Sequence, residues 1–456
     1  MSTVYIVHCI DTEGPLYEST SAKFERLSEL LNVNHLDPTV ENLQRLRAGD
    51  IKLGGRESEV RRLLSGHLTR YNETWDSLDG MLERISQQSF RNKVPDSRGQ
   101  GWRFNWFCMD HVGYAYNPRR RDIGYHNIFD HYQEFLKRHP AQGDAVHWHF
   151  HPMSTYRDAH RCATHYFRSP EVFEILARKV IERAWFPSAY RAGFQTERPD
   201  SHWFLEQWIP FDLSNMALSD PEEFDRHLDF RLGRSGDWRR APADWSVYRP
   251  SHDDYQQSGS CRRMIARALN VFNRIGNIDG PEMDKAFARA ANGEPTLVGI
   301  AGHDWRDLAP EVEYVRELVV QAQRRYPDVP FVYSEAGEAF RGVVWPEGVT
   351  EAPLDLDLEF IPAGGGDGPS ITVSTRAGRV FGPQPFLAIE IHGRRFVHDN
   401  FDFAPCGTRW HYPFNESTVA LDDVVRVGVA ASDIYGRVCV RRIEFKHFQS
   451  TSPIVL

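Results

Sequence analysis

Histidine occurs at every second position in the stretch DAVHWHFHP, residues 144–152. Side chains two residues apart on a β-strand point to the same face. His147, His149 and His151 would therefore line one side of a strand, with the aromatic residues between them packed on the other side. Neutral imidazole is a good ligand for zinc and neighbouring divalent metals. The stretch predicts a strand that carries metal ligands, and a polar core of hydrogen-bonded histidines is the alternative.

Carboxylates and a further histidine follow two other predicted strands. VYIVHCI leads into Asp11-Thr12-Glu13, so Asp11 and Glu13 also point to one side. TLVGIAGHD ends in His303 and Asp304. Two histidines and one carboxylate, with a position left open for water, form a recurring hydrolytic zinc site. These strand ends therefore carry groups that can bind a metal or move a proton.

Strands that alternate with helices must position these groups. The predicted strands are VYIVHCI, WRFNWFCMD, AVHWHFHP, AYRAGF, TLVGIAGHD and VPFVYSEA, and helical patterns such as NIFDHYQEFLKRH and EVEYVRELVVQAQRRY separate them. This order predicts parallel βα units. In a βα barrel the catalytic groups gather at the carboxyl ends of the strands, which would bring the three strand ends together.

Two regions depart from the βα order. Residues 220–260 are polar and have few apolar runs, which favours a long insertion or a lid. Residues 350–456 read as alternating strands with glycine-bearing turns, which predicts an all-β sandwich. Its aromatic residues Trp410, Tyr412, Phe414 and Tyr435 would fill the sandwich core, with sugar stacking as the alternative.

Composition excludes several classes of protein. The net charge of −9 argues against nucleic acid as the main partner, because phosphate binding needs a basic face. No uncharged apolar run approaches membrane-spanning length, and the start of the chain lacks a basic segment and a cleavage site. We therefore expect a cytoplasmic protein. The scattered cysteines are expected to be free thiols and do not suggest a cysteine-rich zinc site.

Motifs with a recognisable order run through the first part of the chain. They are CIDTEGP, HWHFHP, YRAGF, WIPFDLS and AGHDWRD. Together they resemble the polysaccharide deacetylase-like group (NodB homology, carbohydrate esterase family four), and they look most like the branch found in O-antigen and surface-glycan biosynthesis. The resemblance covers residues 1–345 and not the β domain. It implies an irregular (β/α) barrel of about seven strands and metal-dependent removal of an acyl group, usually N-acetyl, from a sugar.

The resemblance also implies a set of metal ligands. Asp11 would be the catalytic base and Glu13 a ligand, although the two roles could be exchanged because an extra residue separates the carboxylates. His151 would be a ligand in either version of the histidine motif. His149 is the preferred second histidine, and His147 is the alternative.

Further roles follow from the same resemblance. Arg191 would orient the catalytic carboxylate, with a structural ion pair as the alternative. His303 would act as general acid, and Asp304 could hold its ring. The residues expected to contact or support the substrate are Asp110, His111, Tyr190 and Asp212.

The sequence thus predicts a cytoplasmic, zinc-dependent deacetylase that acts on a sugar or glycan intermediate. A non-catalytic glycan-binding protein on the same barrel is the alternative from another class, and the Asp-Thr-Glu spacing favours it. A hydrolase of a non-sugar amide is a third possibility. The presence of Arg191 and His303 favours an enzyme, because binding alone needs no acid.

Overall fold

The computed structural model describes residues 1–111, 126–140, 143–152, 165–220, 222–226, 235–445 and 454–455. Part of the predicted insertion at 220–260 therefore lies outside the described residues. Two bodies make up the described chain: a parallel barrel with helices, and a pair of antiparallel sheets.

A closed parallel barrel carries the strand ends that sequence analysis singled out. Its described strands follow one another in chain order, and the last returns to pair with the first. They are β1 (Val4–Thr12), β2 (Phe104–His111), β3 (Ala145–His151), β4 (Ala189–Ala192), β5 (Phe211–Asn215), β6 (Met264–Asn270) and β7 (Thr296–His303). The short strand β8 (Phe331–Tyr333) pairs with the beginning of β1. The predicted barrel of about seven strands is confirmed for the described residues.

Helices surround this barrel. The described ones are α1 (Thr20–Leu31), α2 (Val40–Ala48), α3 (Glu57–Leu63), α4 (Gly66–Thr69), α5 (Trp75–Ser86), α6 (Gln88–Arg91), α7 (Asn127–Arg138), α8 (Glu171–Arg183), α9 (Pro199–Trp208), α10 (Glu222–Arg226), α11 (Gly280–Ala291), α12 (Leu308–Arg325) and α13 (Ala336–Val344). In α12 the Asp307 side chain accepts the Ala309 amide at the first turn, and Val312, Val315 and Val319 are buried at helical spacing.

Apolar side chains fill the barrel interior at the amino end of the strands. Val7, Phe107 and Leu213 belong to one buried cluster with residues of α13. Phe340 of α13 stacks on Phe211, with ring centroids 4.5 Å apart. Because α13 closes the amino end of the strands, the carboxyl end is the open face at which chemistry can occur.

A helical segment between β1 and β2 stands at that open face. Helices α1 to α3 share a small buried core of their own, which includes Phe24, Leu27 and Val60. The Asn72 amide donates to the Trp305 carbonyl at 2.8 Å, and its side chain donates to the Asp304 carbonyl at 2.8 Å. This segment is therefore fastened to the loop that follows β7.

The described part of the predicted insertion packs against the barrel. Trp238, Trp245 and Tyr255 are buried in the main hydrophobic core. Isolated bridges, such as Tyr248 with Ile265, link the segment to the sheet. Residues 235–260 thus form part of the wall beside β5 and β6.

Two antiparallel sheets follow α13. The strands are β9 (Asp355–Ile361), β10 (Ser370–Ala377), β11 (Phe386–Ile391), β12 (Arg395–Asp399), β13 (Asp402–Phe403), β14 (Arg409–Pro413), β15 (Val424–Ser432), β16 (Val438–Glu444) and β17 (Ile454–Val455). One sheet has the order β13-β14-β10-β9 and the other β12-β11-β15-β16-β17. Trp410, Tyr412 and Phe414 are buried in the core between them, as predicted. Tyr435 is not part of that core: it is partly exposed and contacts Trp345, with ring centroids 4.6 Å apart.

Helix α8 joins the two bodies. On one side it packs on Trp148 and Phe150 of β3, and on the other it packs on β11, β12 and β15. The Ser432 hydroxyl also donates to the Trp208 carbonyl at 3.0 Å. No helix in the described part of the chain is long and apolar enough to cross a membrane.

Candidate metal centre

The carboxyl ends of β1, β3 and β7 meet at the mouth of the barrel. Glu13 follows β1, and His149 and His151 lie at the end of β3. Their donor atoms all lie within 4.8 Å of one another, and all three residues are buried. His303, at the end of β7, has its Nε2 3.9 Å from Asp11 Oδ2. The structure thus brings together the groups that were assigned to one site.

The separations between the donor atoms suit a small divalent ion. His149 Nε2 and His151 Nε2 are 2.9 Å apart. Glu13 Oε1 lies 3.5 Å from His151 Nε2 and 3.7 Å from His149 Nε2. Zinc holds such ligands at about 2.0–2.1 Å in a tetrahedron, which separates neighbouring donors by about 3.3 Å. The three donors therefore fit zinc, with a fourth position left for water.

The backbone of β4 sets the tautomer of His149. Its Nδ1 lies 3.0 Å from the Arg191 carbonyl oxygen. A carbonyl oxygen only accepts, so Nδ1 carries the proton and donates it to that oxygen. In the neutral ring, Nε2 then presents its lone pair toward Glu13 and His151. This outer hydrogen bond is the kind that orients histidine ligands in metal sites.

Glu13 is held from two directions. The Trp305 indole N–H donates to Glu13 Oε2 at 3.1 Å, which leaves Oε1 turned toward the histidines. Asp304 accepts the amides of Glu13 and Gly14 at 2.8 and 2.9 Å, and it accepts the Tyr132 hydroxyl at 2.9 Å. These bonds place Asp304 behind the Glu13 turn. Sequence analysis had assigned Asp304 to the His303 ring and did not predict this role.

Asp11 and Arg191 form a two-pronged buried ion pair. Arg191 Nε donates to Asp11 Oδ1 at 2.6 Å, and Nη2 donates to Oδ2 at 3.0 Å. Burial alone would raise the pKa of Asp11, but the Arg191 guanidinium, with His149 and His303, holds that pKa well below its usual range. Asp11 is therefore ionised at neutral pH. The predicted contact between Arg191 and this carboxylate is present.

The turn after β4 forms a close wall against His151. A Cβ atom on Gly193 would lie 2.6 Å from the His151 ring. The Phe194 ring packs edge-to-face against the same histidine, with centroids 4.8 Å apart. Only a residue without a side chain fits beneath His151, which explains a glycine at position 193.

We expect Gly193→Ala to weaken zinc binding about tenfold, since the added methyl group would push the His151 ring away from the other donors. Zinc dissociation constants from competition with a coloured chelator would measure the change. Gly80→Ala is the control, because a Cβ at Gly80 meets nothing within 4 Å. An unchanged zinc affinity in Gly193→Ala would contradict this account of the wall.

His147 lies apart from this centre. Its Nε2 is 3.1 Å from Asn105 Oδ1 and 3.4 Å from Glu335 Oε1, at the amino end of the barrel. It lines a cavity of about 460 Å³ between the barrel and β16, which Trp185 also lines. His147 is therefore not brought to Glu13, and the preferred pair of His149 and His151 is the one that meets it.

Asp110 belongs to the layer outside the barrel. It pairs in register with Phe150, which alternates with the inward-facing histidines. Its carboxylate lies 3.0 Å from Lys179 Nζ and accepts the Trp148 indole N–H at 2.9 Å. Because it is fully buried behind the barrel wall, Asp110 packs there and does not reach the substrate mouth.

Tyr190 and Asp212 share this outward orientation. Tyr190 pairs in register with Trp148, and Asp212 pairs with Tyr190. The Tyr190 hydroxyl bonds the Tyr166 hydroxyl. Asp212 bonds Arg263, which also holds Glu197. The predicted substrate contacts of both side chains do not match these positions, because alternation on the strand turns them away from the metal ligands.

His111 is the predicted substrate residue that lies at the mouth. It ends β2, pairs in register with His151, and is half-buried. Burial, with the nearby His151, lowers the pKa of His111 to about 4. It is therefore a neutral imidazole at pH 7, able to donate or accept a hydrogen bond beside the centre.

Sequence reasoning missed several residues that build the site. Trp305 and Tyr132 fix Glu13 directly or through Asp304, and Phe194 walls His151. Trp305 could have been identified from the sequence, because it immediately follows the motif residues His303 and Asp304. Tyr132 lies in α7, and no local pattern indicated a contact with a strand end so distant in the chain.

Comparisons with known proteins add no family to this geometry. No family model, curated protein or solved structure matches the chain.

Proposed function

We propose that this chain is a metal-dependent hydrolase that removes an acyl group, N-acetyl in the first place, from a sugar or glycan intermediate, with zinc as the metal. The observation that carries the proposal is the buried donor set of Glu13, His149 and His151 with Asp11 and His303 beside it. Hydrolysis by an activated water needs such ligands together with a base and an acid. The sugar and the polysaccharide deacetylase-like family rest on the motif resemblance.

The residues divide the chemistry among them. Glu13, His149 and His151 would hold a divalent ion, which would supply a water of lowered pKa and polarise the acyl carbonyl. Asp11, kept ionised by Arg191, would accept the proton that this water loses. The His303 side chain, which is 14% exposed, can reach the leaving group and donate a proton to it.

Burial of the donors supports a small reacting group. Glu13, His149 and His151 are 4%, 1% and 3% exposed. So little exposed donor surface favours a compact group, such as the carbonyl of a short acyl chain, as the part of the substrate that meets the centre. The amino end of the barrel is closed by α13, so the substrate would approach from the mouth beside His111 and His303.

Release of the acyl group tests the proposal. The full chain, loaded with zinc, should release acetate or formate from acylated amino sugars. Release should stop with a chelator and return when zinc is added. A preparation of the His151→Ala variant, purified in the same way, controls for contaminating hydrolases.

The outcome separates the competing functions. Zinc binding without release from any acylated sugar or simple amide would favour the glycan-binding alternative. Release from acetylated non-sugar amides alone would favour the third possibility. Release that persists with the chelator would contradict the metal-dependent reaction.

A further inference from the structure

The turn that walls His151 has an unusual backbone. Phe194 and Gln195 both adopt the left-handed region, with φ of 56° and 50°. Residues with a side chain rarely adopt this conformation, because Cβ crowds the backbone there. Such a conformation persists only where neighbouring contacts hold it in place.

Two hydrogen bonds from residues 236–238 hold this turn. The Gly236 amide donates to the Phe194 carbonyl at 3.0 Å. The Trp238 indole N–H donates to the Gln195 carbonyl at 2.7 Å. Each bond satisfies the carbonyl of one left-handed residue, so the two contacts together fix the turn.

The backbone at Gly236 lies too close to the turn for any residue with a side chain at position 236. A Cβ at Gly236 would lie 1.9 Å from the Gln195 carbonyl oxygen. Trp238 is fully buried, and its ring packs edge-to-face against Tyr255, with centroids 5.0 Å apart. The donor that holds Gln195 is therefore itself rigid.

A short series of contacts connects Trp238 with His151, one of the proposed metal ligands. Trp238 holds Gln195, the adjacent Phe194 packs on the His151 ring, and Gly193 lies beneath that ring. Trp238 itself is not among the donor set of Glu13, His149 and His151. Its influence on the centre would have to pass through the turn.

We propose that Trp238 is a positioning residue of the metal centre, whose indole N–H holds the left-handed turn that fixes His151 for metal binding. The inference rests on the metal site of the proposed function and not on the reaction or its substrate. It gives the segment that sequence analysis considered a lid a different task, which is to hold a metal ligand from behind.

Trp238→Phe tests this inference, because it keeps an aromatic ring and removes the N–H. We expect zinc affinity to fall about tenfold, equivalent to one lost hydrogen bond to a buried carbonyl. Chelator competition would measure the dissociation constant, and urea denaturation of the metal-free protein would measure stability.

Trp245→Phe is the matched control. Trp245 is equally buried, and its indole N–H donates to the Glu282 carbonyl at 3.1 Å, a bond that does not involve the turn. This variant should lose comparable stability and keep the zinc affinity of the unmodified chain. Equal zinc affinities in the two variants would overturn the proposal, whether both fall or neither does.

A second substitution tests the turn itself. Gln195→Gly relieves the left-handed strain, since glycine adopts that conformation at no steric cost. Combined with Trp238→Phe, it should restore most of the zinc affinity, and it provides a measurable protein if Trp238→Phe alone does not fold. A double variant no better than Trp238→Phe would overturn the role of the turn. If the unmodified chain binds no zinc, the proposed function fails first, and that result is distinct from either of these.

Discussion

Replacing His151 with alanine should weaken zinc binding about 10³-fold, while replacing His147 with alanine should leave zinc affinity unchanged. Protein zinc sites bind with about 10–16 kcal/mol, and the three proposed ligands would share that energy, so each would be worth several kcal/mol. His151 is one of the three proposed ligands, with Nε2 3.5 Å from Glu13 Oε1. His147 contacts Asn105 and Glu335 instead.

The two variants form a matched pair. Both histidines lie on β3, point to the same side of the strand, and are buried. Metal content after dialysis, followed by chelator competition, would give both dissociation constants. Loss of zinc in His147→Ala with retention in His151→Ala would reverse the assignment. Equal losses in both would place the metal somewhere other than the mouth.

Replacing Lys179 with methionine should destabilise the fold by about 3–5 kcal/mol at pH 8. Lys179 is fully buried, with its Nζ 3.0 Å from Asp110 Oδ2 and 4.2 Å from the centre of the Phe129 ring. Its removal leaves an uncompensated carboxylate behind the barrel wall. Free energies of unfolding in urea would measure the loss, and a loss below 1 kcal/mol would contradict it.

The loss should depend on pH. Burial, only partly opposed by Lys179, raises the pKa of Asp110 to about 6. A carboxyl group whose pKa is raised in the folded state contributes its stability at low pH, and that contribution is lost as the pH rises through about 6. Without Lys179 the pKa rises further. The difference between Lys179→Met and the unmodified chain should therefore be smaller at pH 5.5 than at pH 8.

Two further variants separate burial from charge. Asp110→Leu combined with Lys179→Met should recover most of the stability, because an apolar pair of similar size can replace a buried ion pair. Lys93→Met removes an exposed pair, in which Lys93 Nζ lies 2.8 Å from Glu313, and should cost less than about 1 kcal/mol. A large loss in Lys93→Met would show that charge alone sets these costs.

Alternation along strands predicted much of the metal centre. His149, His151 and Glu13 were assigned because a period of two places them on one face, and the structure brings their donors together. The same period could not distinguish His147. It shares that face, but a strand rises about 3.3 Å per residue, so two residues move a side chain about 6.6 Å along the barrel.

For the other polar strand residues, the sequence could not predict whether the side chain faces the barrel interior or the surrounding helices. Asp110, Tyr190 and Asp212 lie on site-bearing strands, yet each faces the helical layer. A polar residue in an apolar strand can face either the barrel interior or the helices, provided that a partner such as Lys179 pairs with it there. Such partners come from distant parts of the chain, so local patterns do not reveal them.

Chain-distant contacts also escaped prediction in the wall of the site. Trp238 and Gly236 reach the turn at Phe194 from a segment that composition marks only as polar and irregular. The strain at Phe194 and Gln195 is a property of backbone angles that these residue types do not favour. Residue type therefore argued against the conformation that places His151.

Helix α8 belongs to the hydrophobic interface between the barrel and the antiparallel sheets. Its inner face supports the strand that bears His149 and His151, and its outer face is sealed by the antiparallel sheets. A recombination event that exchanged the C-terminal module would have to preserve that outer seal, or β3 would lose its backing. Removal of the sheets would therefore expose the outer face of α8, and a shortened form of this chain would first need a redesigned α8.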